Sequence, residues 1–257
     1  PYLVALDASR SMLVRDVRPN RWSAATNAVD RFLAESRNDR IGLITFSGVA
    51  NLNAPLSFDS TAIRTLVRFT SPEHYDPDAA TAGSALGKAI ERAGRYFATN
   101  AITPRILVLI SDGEDFDGEL FSLARQWAKN GVHVCTIGVG TTTGGRVPPS
   151  PWGGVARDAI GQEVTSRLIE SNLERIAAIT GGRYYKLGER GEGLQRLRTE
   201  YLKPMAQTAA KADLQNYSQW FQLPLSFALA CMVGSVCLGA DRFRRTKALS
   251  AIAAVRR

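Results

Sequence analysis

The sequence predicts an α/β fold: a doubly wound, mostly parallel sheet flanked by helices and followed by a C-terminal transmembrane helix. Three observations predict it. Short apolar runs alternate with helical patterns, Asp-bearing turns follow two of those runs, and a long uncharged stretch comes near the end. The runs Leu3 to Leu6, Ile41 to Phe46, Ile106 to Ile110 and Val132 to Val139 are bounded by turn residues. Strands covered by helices on both faces have this near-continuous apolar pattern. Helical periodicity lies between them, over Trp22 to Ser36, Ser60 to Phe69, Ser84 to Thr99 and Glu119 to Lys129, the last closed by Asn130-Gly131. Such alternation implies a sheet with crossover helices. Asn51 to Phe58 predicts a short edge strand, Leu173 to Ile179 a helix stopped by Gly181-Gly182, and Arg183 to Leu187 a last strand. Gly140 to Gly154, rich in Gly, Pro and Thr, predicts a surface loop. Its Trp152 is either an interface anchor or a cover for local core. The α/β domain then occupies residues 1–190, and a helical juxtamembrane stalk 191–220.

The stretch from Phe221 to Ala240 has 20 residues without a charge. As a helix it would extend about 30 Å, the thickness of a bilayer core. Tyr217, Trp220 and Phe221 at its start suit an interfacial aromatic belt. A buried core helix is the competing reading. The formal net charge is +8, and the tail 241–257 carries +5 of it, leaving +3 for residues 1–220. A basic flank of this kind places the tail in the cytoplasm and the large domain on the extracytoplasmic side of a cell membrane. The excess of positive charge is thus not a nucleic-acid signature, since no basic stripe with interleaved aromatics is present. Cys135 lies in a strand-like run, and Cys231 and Cys237 lie in the expected span, so neither a disulfide framework nor a cysteine metal site is predicted. The start at Pro1, without initiator Met or signal peptide, predicts a fragment, with any earlier membrane segment missing.

Asp7-x-Ser9-x-Ser11 follows the first strand and gathers one carboxylate and two hydroxyls into a single turn. Small divalent ions prefer oxygen ligands and keep several waters, so this set holds such an ion without fully neutralising it. The residual positive charge then attracts an acidic group of another molecule. In doubly wound sheets ligands sit beyond the carboxyl ends of the strands, where strand order reverses. Asp112 follows the third of the four runs, and Ser84 opens a helix after Gly83. Each has a simpler reading, Asp112-Gly113 as a turn and Ser84 as an N-cap. Their joint placement with Asp7 makes one site of them. Glu114, Asp115 and Asp117 either reinforce cation attraction or solvate a helix start.

Asp7-x-Ser9-x-Ser11, Gly83-Ser84-Ala85-Leu86-Gly87 and Ser111-Asp112-Gly113, in that order, resemble the three loops of a von Willebrand factor A domain with a metal-ion-dependent adhesion site. The stretches DVRPNRWSAATNAVDRFL, DRIGLITFSGVANLNAPLSFD and RDAIGQEVTSRLIESNLERIAAITGGRYYKL resemble the BatA/BatB aerotolerance-operon proteins of bacteria. The resemblance implies that Ser9 and Ser11 bind the metal directly and that Asp7 and Asp112 do so directly or through water. A middle-loop hydroxyl completes the set, Ser84 by alignment or Thr81 as the competing candidate. It implies Mg²⁺ first, with Mn²⁺ or Ca²⁺ as alternatives, and a protein partner that supplies Asp or Glu. It further implies a bacterial inner-membrane protein working in complexes with related von Willebrand A membrane proteins and a MoxR-type AAA ATPase.

Enzyme readings fit less well. A haloacid-dehalogenase phosphatase needs a second Asp two residues after the first, and Ser9 stands there. Losing a general acid costs about 10²- to 10⁴-fold in rate. Gly140 to Arg146 lacks the Lys-Ser/Thr pair of a phosphate loop, and no G-x-S-x-G elbow occurs. The sequence therefore predicts a metal-dependent binding module and no catalytic residues, with a membrane scaffold carrying a vestigial site as the second reading.

Overall fold

The apolar run at the N-terminus forms β1 (Tyr2–Asp7), all six residues of which are buried. The computed structural model describes residues 1–36, 38–72, 86–115, 118–148, 163–208 and 224–236. Contacts divide the chain into two units, Pro1–Ala206 and Gln207–Arg257.

In the first unit, α1 (Arg21–Glu35) leads to β2 (Ile41–Ser47) and then to the hairpin strand β3 (Val49–Ser57). Next come α2 (Ser60–Phe69), α3 (Leu86–Thr99), β4 (Arg105–Ser111), α4 (Leu120–Lys129) and β5 (Val132–Gly138). Two-residue strands β6 (Gly145–Arg146) and β7 (Thr165–Ser166) precede α5 (Glu170–Thr180), β8 (Tyr184–Lys186) and α6 (Glu192–Leu197). The main sheet runs β3-β2-β1-β4-β5-β8. β3 is antiparallel to β2, and the other neighbours in the sheet are parallel. The expected doubly wound architecture is thus present, with the expected edge strand at β3.

Side chains alternate across β1 and divide the core into two layers. Val4 and Leu6 face α1, α2 and α6 with Phe32, Leu33, Ile63 and Leu194. Leu3 and Ala5 face α3, α4 and α5 with Ile90, Phe97, Ala124 and Leu173. Burying each large apolar side chain contributes about 1.5–3 kcal/mol relative to exposure, so the sheet is held from both sides. Caps fix the helix starts. Asn20 accepts the Ser23 backbone N–H at 2.7 Å to open α1, and Asp59 accepts that of Ala62 at 2.9 Å to open α2.

The strand and helix boundaries move by a few residues from expectation, and one local feature is new. The 140–154 segment is not loop throughout, since Gly145 and Arg146 pair with Ser166 and Thr165 as β6 and β7. Two-residue strands are too short to show periodicity. Trp152, Thr81, Ser84 and Asp117 lie outside the described residues. Glu192–Leu197 and the following π-helical turn, Arg198–Leu202, pack back on the first unit through Leu194, Leu197 and Leu202.

The expected transmembrane helix is not found among the described residues, where no helix is long and apolar enough to cross a membrane. Of the predicted span 221–240, residues 224–236 are helical. At 1.5 Å per residue they extend about 20 Å, short of the roughly 30 Å hydrocarbon core. Residues 221–223 and 237–240, with most of the expected stalk and all of the basic tail, lie outside the described residues.

Cys135 on β5 is fully buried, whereas Cys231 is exposed. Burial pushes the Cys135 thiol up to about 12, and the backbone hydrogen bond and charge at Arg183 offset this only in part. The thiolate is the reactive form, so Cys135 stays unmodified by iodoacetamide at pH 8 in the folded protein. Unfolding in guanidinium exposes Cys135 to the reagent. Mass spectrometry after each treatment checks this; alkylation of Cys135 without denaturant would contradict the burial.

Candidate metal centre

Strand order reverses between β1 and β4: from β1 the chain first winds outward through β2 and β3, then returns to lay β4 on its other side. Both strands are parallel, so their carboxyl ends open on the same crevice, and each ends in an acidic turn. Asp7 closes β1 and Asp112 follows β4 directly. Both carboxylates are fully buried. The turn after β1 holds Ser9 and opens a 3₁₀ turn, Arg10–Leu13, that contains Ser11.

Hydrogen bonds lock this arrangement. Asp7 Oδ1 accepts the Ser9 backbone N–H at 2.9 Å, and Asp7 Oδ2 accepts Ser111 Oγ–H at 2.6 Å. Ser111 Oγ in turn accepts the Gly113 N–H at 3.0 Å, tying the β1 turn to the β4 turn. The hydroxyls of Ser9 and Ser11 lie 2.9 Å apart. Asp112 Oδ1 accepts the Glu114 N–H at 3.2 Å. Burial, and then the charge of Asp112, push the Asp7 carboxyl up to about 6, against the hydrogen bonds from Ser111 and Ser9. Burial and the Asp112 charge also raise Glu114, whose Oε1 accepts the Arg167 N–H at 2.9 Å.

The structure therefore brings Asp7, Ser9, Ser11 and Asp112 to one crevice, and Ser84 and Thr81 fall outside what it describes. Among the described residues no group of three or more His, Cys, Asp or Glu side chains could hold a metal ion. The donor set is instead two carboxylates supplemented by hydroxyls. Oxygen-only donors suit a hard divalent cation, and a second buried carboxylate beside Asp7 is the concentration of negative charge such a cation relieves. The residues present fit the ion.

One group escapes sequence reasoning. Arg21, the first residue of α1, is fully buried. Its Nε and Nη2 form a fork on Asp16 at 2.9 and 2.8 Å. Its Nη1 donates to Asp112 Oδ2 at 3.0 Å and to Ser166 Oγ at 2.7 Å. Thr141 completes the cluster, donating to Asp16 Oδ2 through its N–H at 2.8 Å and its hydroxyl at 2.9 Å. Burial raises Asp16, but the Arg21 and Thr141 hydrogen bonds outweigh it and hold the carboxyl below its ordinary range. Gly140 passes so close that a Cβ there would stand 2.6 Å from Arg21 Nε, at a φ of +121°. Only glycine fits that position. A signal for Arg21 exists in the sequence: it falls one turn before Ala25 and two before Ala28, on the face of α1 that Val29, Phe32 and Leu33 bury.

The fold and the acidic turns define a von Willebrand factor type A domain, and the family model of that description matches residues 2–114. Solved structures narrow the class. The conserved hypothetical protein BatB from Bacteroides thetaiotaomicron is 30% identical with a TM-score of 0.72, over 80% of this chain and 98% of that one. An aerotolerance-related membrane protein from Bacteroides fragilis, bearing multiple mutations to serines, is 29% identical with a TM-score of 0.71, over 79% and 98%. The chain belongs to this Bat-like family of von Willebrand A proteins. Among curated proteins, a UPF0353 protein of Mycobacterium avium is 27% identical over 208 residues, covering 77% of this chain. The match spans 58% of that relative's length.

Proposed function

We propose that this chain is a membrane-associated protein-binding module whose divalent-cation centre takes an Asp or Glu side chain of a partner protein. The observation that carries this reading is the convergence of Asp7 and Asp112, both fully buried, at the reversal of strand order, with Ser9 and Ser11 beside them. The centre is read as Ser9 and Ser11 on the metal, Asp7 and Asp112 behind, and Ser84 or Thr81 from the segment before α3. Mg²⁺ is the proposed ion, with Mn²⁺ and Ca²⁺ as competitors. When bound, it supplies Lewis-acid attraction for the partner's carboxylate, while the chain's own residues orient the oxygens and exclude water from the Asp7 side. No catalytic residue is proposed.

The relative from Bacteroides fragilis is a membrane protein, which supports membrane association of this chain. We read 221–240 as the anchor, with the basic tail cytoplasmic and the domain extracytoplasmic. Related von Willebrand A membrane proteins and a MoxR-type ATPase are the proposed partners, the ATPase meeting the tail.

The test is calorimetric titration of Mg²⁺ and Mn²⁺ into the full chain, beside Asp7→Ala. Binding is expected in the wild type and absent in the variant. Metal at a hundred times its dissociation constant should stabilise the wild type by about 2.7 kcal/mol. Binding of neither ion by the wild type would reject the reading and leave a scaffold.

A further inference from the structure

Arg21 brings a permanent positive charge to a site otherwise read as a cation centre. Its guanidinium takes Asp112 Oδ2 and is anchored on its other edge by Asp16, with Ser166 closing the third side through Oγ at 2.7 Å and its backbone carbonyl at 3.1 Å. None of this is surface decoration, because the side chains of Arg21 and Asp112 have no exposed surface and that of Asp16 is only 5% exposed. Guanidinium is the group suited to such a place, being always charged and able to bind one carboxylate by a fork while donating to a second. Two consequences follow for the oxygens of Asp112. Oδ2 is taken by Arg21 and by Ser166, and Oδ1, which already accepts the Glu114 N–H at 3.2 Å, is the less engaged oxygen for direct contact with a metal. The charge of Asp112 is also shared between the guanidinium and whatever cation binds.

We propose that Arg21 is the residue that tunes this centre: a fixed counter-charge that holds down affinity for the divalent cation, so that the bound ion keeps positive charge for an acidic partner group. The inference rests on the metal-centre reading. Asp16 sets the strength of the effect, since its fork draws the guanidinium's charge away from Asp112. Arg21 is a positioning residue and touches neither metal nor partner.

Opposite charge changes then give opposite shifts. Arg21→Gln removes the counter-charge, and Mn²⁺ should bind about tenfold tighter, as charges this close in a partly dry site interact strongly. Asp16→Asn releases the guanidinium onto Asp112, and Mn²⁺ should bind several-fold more weakly. Arg21→Lys keeps the charge and should stay within about twofold of the wild type. A structural role alone would weaken binding in all three.

The experiment is Mn²⁺ titration of the full chain, wild type and the three variants, by calorimetry at pH 8, with folding checked by circular dichroism. Tighter binding by Arg21→Gln together with weaker binding by Asp16→Asn supports the proposal. Weaker or unchanged binding by Arg21→Gln overturns it, as does Asp16→Asn binding as tightly as the wild type. Should Arg21→Gln fail to fold, Asp16→Asn and Arg21→Lys decide together: weaker binding by the first with binding within about twofold of the wild type by the second supports the proposal, and weaker binding by both overturns it. No Mn²⁺ binding by the wild type would reject the metal centre itself, an outcome separate from a wild type that binds and variants that do not differ from it.

Discussion

Replacing Arg21 with Met will destabilise the fold by about 3–5 kcal/mol, the cost of breaking a buried ion pair by removing one partner. The loss is not one of packing, since Met retains most of the apolar stem. It arises because Asp16 and Asp112 keep their charges in surroundings with little water, with the guanidinium fork gone from one and the Nη1 donor gone from the other. Ser166 loses partners for both its hydroxyl and its carbonyl. Arg21→Lys should cost less, because an ammonium preserves the charge but cannot span both carboxylates with a planar fork. Urea unfolding at pH 7 of wild type, Met and Lys variants measures the series. A Met variant within about 1 kcal/mol of the wild type would mean that the carboxylates find water or protons, and the cluster would then not be holding these loops.

Gly182→Ala is the second large effect, expected at about 3 kcal/mol, the upper end of overpacking costs. A Cβ at Gly182 would lie 2.0 Å from the Val134 carbonyl oxygen and 2.5 Å from its carbon. Both are backbone atoms of β5, which is bonded into ladders with β4 and β8 and cannot give way. The turn cannot move outward either, because the Gly182 N–H donates to Ala177 O at 2.9 Å and Thr136 N–H donates to Arg183 O at 2.9 Å. In a unit of this size the loss lowers the melting temperature by roughly 6–12 °C. Gly131→Ala is the control. Gly131 has φ +74°, and a methyl there would meet nothing within 4 Å, so only the backbone penalty of about 1–2 kcal/mol applies. Equal melting temperatures for the two variants would refute the collision.

The contrast between those sites and the sheet explains what could be read from the chain alone. β1, β2, β4 and β5 were legible because strands covered on both faces must be apolar throughout, and Leu3 to Leu6 or Ile106 to Ile110 leave no other simple reading. Asp7, Ser9, Ser11 and Asp112 were legible because chemistry at the carboxyl ends of such strands follows from topology. Arg21 was not, since a charged residue at a helix start reads as solvated. Its cue was position on the buried face of α1, and composition argues against that cue. β6 and β7 were hidden for a different reason: their pairing joins segments with no local pattern, held by Gly145 against Ser166 and Arg146 against Thr165. The 192–202 segment looked like the start of a stalk, because its helical period is the same whether its apolar face meets α1 or a membrane-proximal neighbour. Contacts of Leu194, Leu197 and Leu202 with the core distinguish the two.

The sequence separations within the acidic crevice have a consequence for how the molecule comes into being. Asp7 meets Ser111 across 104 positions, and Arg21 meets Ser166 across 145. Closing loops of that size is entropically costly, and contacts so remote along the chain delay folding. On the ribosome β1 emerges before β4 yet waits for it, and the Arg21 cluster waits longer still, for β7. An unfinished or clipped chain that lacks β4 or β7 thus lacks the Ser111 and Ser166 contacts that complete the crevice. On the binding reading proposed above, competence to bind would then certify that the whole domain has been made.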